Sequence, residues 1–223
     1  MNAIVTRPGA ELVPGRQARA GVSAPPIVVV LGPPGAGKGT QCRRLASTMG
    51  WSHVSLGDAL RAEILRGSDL GAEVRPYVEA GVLAPDELVV DLATRLLHLH
   101  GAHAEGVLLD GFPRTLAQAD ALAALAPDAV RCCTVLVLTR EEVLARLRTR
   151  GRVDDHAAVI RERLLAYCRE TKPVIRWYAQ AGLARYVDAH ASPPEVTMKL
   201  VALLHDEAVN RAGGCSSPLL QGA

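Results

Sequence analysis

The sequence predicts an α/β protein: a parallel sheet with helices packed on both of its faces. Three observations carry this. Short, continuous apolar runs such as Ile27–Leu31 and Val107–Leu109 are bounded by Pro, Gly or Asp, as in strands buried on both faces. Stretches with helical start and stop signals alternate with those runs, which is the order a parallel sheet requires. The first strand also runs straight into Gly32-Pro33-Pro34-Gly35-Ala36-Gly37-Lys38-Gly39-Thr40. There Gly32, Gly37 and Lys38 fit the phosphate-binding spacing G-x-x-x-x-G-K between a strand and a helix.

The elements follow in order. Pro25 and Pro26 precede the first strand, Ile27–Leu31. The helix entered at the glycine-rich turn continues through Gln41–Met49, and Gly50 is placed to stop it. Trp51–Leu56 reads as a short extended piece. Gly57-Asp58 is expected to open a helix carrying Leu60, Ile64 and Leu65, and Gly67, Gly71 and Gly81 to punctuate two more short helices. Pro85-Asp86-Glu87 starts the next one, with acids in its first turn. Residues 55–84 thus form a helical insert between two strands. Val107–Leu109 is a buried strand, Thr115–Ala126 a helix, Val135–Leu138 a strand and Glu141–Arg150 a helix. A long helix is expected over Ala157–Ala181 with a kink or break at Pro173. Tyr186–Asp188 is the last strand, and Pro194 opens the final helix.

Length and composition bound the function. The 223 residues are 49% hydrophobic and 22% charged, an ordinary globular profile for one sizeable core. The formal net charge is +2, and Arg7, Arg16 and Arg19 against Glu11 account for that excess within the first 24 residues. The remainder is balanced, so no basic surface suggests nucleic acid or membrane as a partner. Cys42, Cys132, Cys133, Cys168 and Cys215 are odd in number and lack C-x-x-C spacing, which argues against disulfides and a zinc cluster and for a reducing cytoplasm. No apolar run reaches the roughly 18 residues of a membrane helix. Residues 1–24 read as a flexible leader. They are arginine-bearing and poor in acids, as a transit peptide is, but lack its serines and amphipathic stripe. Residues 213–223 read as a frayed tail, and 25–212 as a single P-loop domain.

Ligands of such sheets bind outside the carboxyl ends of the strands. The glycine-rich turn sits at one such end and Asp110 at another, placed to hold magnesium directly or through water. Gly39 stands where most P-loops carry a magnesium-holding hydroxyl, and Thr40 follows one place later. Arg114 puts a guanidinium beside the same end. Arg61 lies one turn into its helix, and Arg146 and Arg150 are four apart on one helix face. Arg150 and Arg152 flank Gly151, with Asp154 and Asp155 following to orient them.

Together GPPGAGKGTQC, SLGDALRAEI, GVLAPDELV, LLDGFPRTLAQADAL and GRVDD resemble the adenylate kinases, within the nucleoside monophosphate kinase family, over Ile27 to about Val196. The resemblance implies a P-loop five-stranded parallel sheet, a helical NMP-binding insert at about 55–84 and a very short lid at about 149–155. It implies MgATP + AMP ⇌ 2 ADP in a cytoplasmic monomer. Carried over by motif, Gly35, Ala36, Gly37, Lys38, Gly39, Thr40 and Arg146 would hold ATP. Leu56, Arg61, Val82, Leu83, Ala84, Gly111, Phe112, Pro113, Arg114, Gln118, Arg152 and Arg163 would hold AMP. Lys38, Arg114, Arg150, Arg152 and Arg163 would act on the transferring phosphoryl group, and Asp110 would serve Mg2+. The nucleophile would be an AMP phosphate oxygen already ionised near neutral pH, since the second phosphate pKa is about 6. No histidine is then needed as a base, and His53, just before a strand end, is the one whose position invites inspection.

Two departures from the family pattern stand out. Leu56 replaces the usual threonine near the AMP base, which keeps another acceptor, of the UMP/CMP type, as the alternative. Gln118, the family's adenine-reading amide, argues for AMP. The lid is also too short to carry the four zinc ligands of the long-lid form, and no zinc is expected.

Overall fold

The computed structural model describes residues 25–101, 104–149 and 156–212. Arg150, Arg152, Asp154 and Asp155, the expected lid at 149–155 beyond Thr149, the leader and the tail lie outside the described residues.

Five parallel strands form one sheet: β1 (Ile27–Leu31), β2 (Ser52–Ser55), β3 (Val107–Asp110), β4 (Val130–Val137) and β5 (Ala184–Asp188), in the order β2-β3-β1-β4-β5. β1 is central and buried throughout. Its side chains alternate between the two faces. Val28 and Val30 join Leu108, Cys132 and Leu136 against α1 (Lys38–Met49) and α9 (Pro193–Ala212). Ile27, Val29 and Leu31 join the opposite core with α4 (Asp86–Gly101), α5 (Leu116–Leu125) and α8 (Lys172–Gln180). The register sets Val30 beside Asp110, and Asp110 beside Ser55. The ends of β1, β3 and β2 are therefore level where the glycine-rich turn begins.

The expected elements are present, with several boundaries corrected, among them β5, which begins at Ala184 rather than Tyr186. α2 (Leu56–Arg66) starts one residue earlier than Gly57, because the Ser55 hydroxyl caps it by accepting from the Asp58 backbone N–H. One helix, α3 (Asp69–Ala80), replaces the two expected between Gly67 and Gly81. Gly71 is no break; it lets α3 lie directly on the α2 backbone, where a Cβ would stand 2.2 Å from the Glu63 carbonyl oxygen. β4 begins at Val130 rather than Val135, since Cys132, Cys133 and Thr134 are buried strand residues that carry no long apolar side chain. The long helix is α7 (Ala157–Ala166), a π-helical segment (Tyr167–Thr171) and α8. Pro173 lies in the first turn of α8. It lacks an N–H and crowds the carbonyl four residues back, and the wider π turn precedes it. α6 spans Arg140–Thr149. Among the described residues no helix is long and apolar enough to cross a membrane.

Candidate functional site

A cleft of about 780 Å3 opens at the carboxyl ends of the strands. One end is the glycine-rich turn. Gly37 precedes α1 at φ 90°, a conformation that L side chains resist. α1 has no side-chain cap, so its first N–H groups point into the cleft with the positive end of the helix dipole, a ready anion site. The Lys38 ammonium donates to the Gly32 and Pro33 carbonyls at 2.8 and 3.0 Å, which holds it over the turn. Gln41, buried behind, bonds Thr197 at 2.7 Å and Pro193 at 3.0 Å, fixing α1 against α9.

Asp110 stands next to this turn. A Cβ on Gly39 would come 3.1 Å from Asp110 Oδ2. The residue that lacks the usual hydroxyl thus makes room for the carboxylate. Burial raises the Asp110 pKa, but His53, then Lys38 and Arg114, outweigh it and hold the group below the usual carboxylate value. An ionised carboxylate beside an anion cradle is a fitting donor for a hard divalent cation.

The other end of the cleft is lined by Leu56, Arg61, Val82, Leu83, Ala84, Gly111, Arg114 and Gln118. Arg61 pairs with Asp58, and Arg114 Nε donates to the Gly111 carbonyl at 3.0 Å. Gln118 is almost fully buried. Its Oε1 accepts from the Arg114 backbone N–H at 2.7 Å, and its Nε2 donates to Asp86 Oδ1 at 2.7 Å. Leu56 is buried and adds only apolar surface to this wall. Arg146 and Arg163 line the same cleft. Arg146 is steadied by Glu142 at 2.8 Å and the Ala189 carbonyl at 2.9 Å.

The structure therefore gathers the sequence-predicted residues Gly35 to Thr40, Leu56, Arg61, Val82 to Ala84, Asp110, Gly111, Arg114, Gln118, Arg146 and Arg163 around one cavity. Two expected ligands are set apart: Phe112 is packed into the core, and Pro113 is buried and does not line the cleft. Sequence reasoning missed Arg43, Tyr167, Thr171 and the Ala189–Pro193 segment. Arg43 carried a signal, because it lies four residues after Gly39 on the same α1 face. Tyr167 and Thr171 come from the π segment, whose sole trace in the sequence is Pro173. Burial pushes the Tyr167 phenol up to about 12, so it enters the cleft as a neutral hydroxyl.

Residues 30–183 match the family model described as adenylate kinase. The chain is 43% identical over 184 residues to an adenylate kinase of Thermus thermophilus, covering 79% of this chain and 96% of that one. It is 43% identical over 181 residues to one from Synechococcus sp. (79% and 97%) and 37% identical over 182 residues to one from Phocaeicola vulgatus (78% and 96%).

Proposed function

The chain belongs to the adenylate kinase family, and from that premise we propose that its cleft moves a phosphoryl group from MgATP to AMP, giving two ADP. The observation that carries this reading is the continuity of the cleft. A phosphate cradle and a buried amide beside apolar residues share one cavity, which arginines also line. In this reading the turn from Gly35 to Thr40 and Arg146 hold ATP. Leu56, Arg61, Val82 to Ala84 and Gln118 hold AMP.

The chemistry asked of the protein is alignment and neutralisation. The acceptor phosphate is already ionised near neutral pH, so no side chain has to remove a proton. Lys38, Arg114 and Arg163 bring fixed positive charge to the oxygens of the group in flight, in a site shielded from water. Asp110 would hold magnesium, through water, and bound Mg2+ would supply further charge neutralisation at the ATP phosphates. Arg150 and Arg152 are assigned the same role within a short lid at 149–155, and α2 with α3 forms the acceptor-binding insert. This reading takes the protein as a monomer, as the family resemblance implies, and the cysteine pattern supports the cytoplasm.

The experiment is a panel of AMP, CMP, UMP and GMP as acceptors with MgATP. AMP is expected to be preferred, since Gln118 presents a fixed amide where the base would lie. Equal or better transfer to a pyrimidine monophosphate would move the assignment to another monophosphate kinase, which Leu56 and the expected short lid would favour.

A further inference from the structure

Three residues far apart in the chain converge behind the phosphate cradle. Cys42 on α1, His53 on β2 and Asp110 at the end of β3 place one sulfur, one nitrogen and one oxygen within 4.8 Å of one another. All three lie on the sheet face covered by α1. Cys42 is fully buried, and the His53 and Asp110 side chains are 14% and 12% exposed. Among the described residues His53 Nε2 is buried without a hydrogen bond of normal length, and the Asp110 carboxylate whose pKa it lowers lies just beyond that length. It points toward Asp110 Oδ2 at 3.6 Å.

We propose that Cys42, His53 and Asp110 form a binding site for a divalent cation of the zinc class. Thiolate, imidazole and carboxylate are the three zinc donors, at about 2.3, 2.0–2.1 and 2.0–2.2 Å. Tetrahedral geometry at those lengths sets donors roughly 3.5 Å apart. The His53–Asp110 separation, 3.6 Å, is already close to that value, and the Cys42 sulfur lies within 4.8 Å of both donors. Hard magnesium takes oxygen donors and does not favour a sulfur and a nitrogen. Water would take the fourth position. The thiol releases its proton to solvent on binding. A second cavity of about 260 Å3 reaches His53 beside His100 and shares Arg43, Ser55 and Asp58 with the main cleft. An ion held here occupies the Asp110 carboxylate, so it acts as an inhibitor; this consequence rests on the proposed kinase mechanism, whereas the binding itself does not.

The test uses the reduced full chain without nucleotide. One equivalent of Co2+ should produce a thiolate-to-cobalt charge-transfer band, and Zn2+ should abolish it by displacement. The band should persist in Cys168→Ser and be lost in Cys42→Ala. His53→Gln alters a partly exposed side chain and stands as the decisive variant if Cys42→Ala does not fold. It should weaken Zn2+ binding by roughly tenfold or more, since even partners that only orient ligands are worth 10–100-fold. Zn2+ should slow ADP formation in the wild type, and His53→Gln, compared with its own zinc-free rate, should resist that slowing. No band, a band that survives Cys42→Ala, or unchanged affinity in His53→Gln overturns the site. Binding without slowing overturns the inhibition alone and leaves the acceptor panel to judge the kinase reading separately.

Discussion

Gln118 and Asp86, 32 positions apart, are joined by a 2.7 Å hydrogen bond from the Gln118 amide to the Asp86 carboxylate. The second Asp86 oxygen accepts from the Thr115 hydroxyl at 3.0 Å, and that hydroxyl accepts from the Gln118 backbone N–H. With Oε1 taken by the Arg114 N–H, the carboxamide is held in one orientation.

Asp86→Ala should therefore release the amide without removing it. Losing one such bond to a charged partner is worth about 1.5 kcal/mol, or roughly tenfold. We expect the KM for AMP to rise by about that factor, with a smaller change in kcat. The double variant Asp86→Ala/Gln118→Ala should be no worse than Gln118→Ala alone, because one residue acts through the other. Additive losses in steady-state kinetics would show that Asp86 acts independently.

Lys38→Ala and Arg114→Ala should each lower kcat by roughly 100-fold or more, the usual cost of a fixed charge aimed at the transition state. Circular dichroism should show both variants folded. Near-normal turnover in either would remove it from the mechanism.

A steady-state assay with MgATP and no acceptor should show little phosphate release, because a closed site excludes water. Brisk uncoupled hydrolysis would mean that the proposed short lid does not seal the cleft.

Gly71→Ala forces a Cβ against the α2 backbone, 2.2 Å from the Glu63 carbonyl oxygen. Two helix backbones must separate, a change expected to cost about 2 kcal/mol or more. Thermal unfolding should shift down by roughly 4–8 °C for a chain of this size. An unchanged Tm would show that α2 and α3 are not in direct contact.

Asp188 provides a pH signature. The His190 ring and backbone N–H, and then Lys199, hold its carboxyl down at about 2. His190 Nε2 accepts the Thr139 N–H at 3.1 Å, which leaves Nδ1 as the donor to Asp188 Oδ1 at 2.5 Å. A depressed folded-state pKa gives stability that is present above the unfolded value near 4 and lost as pH falls toward 2. In urea melts Asp188→Asn should be less stable than wild type at pH 5, and the gap should close between pH 4 and 2. A gap that is constant over this range would refute the linkage.

Local structure and much of the site were legible along the chain. The apolar run Ile27–Leu31, the G-x-x-x-x-G-K spacing and the stop at Gly50 depend on residues within a turn or two of each other, so they are legible in one dimension. Boundaries slipped where a local cue pointed the wrong way: Gly71 signals a break yet serves a helix–helix contact, and Cys132-Cys133-Thr134 hides the start of β4. Which residues stand side by side follows from the packing of distant segments. The order β2-β3-β1-β4-β5 brings Asp110 level with the glycine-rich turn, sets Gln118 against Asp86 and unites Cys42 with His53. The spacing of the cysteines along the chain carried no hint of that last cluster. Its members are brought together by backbone pairing between distant strands and by a helix laid across them, and no local periodicity records either.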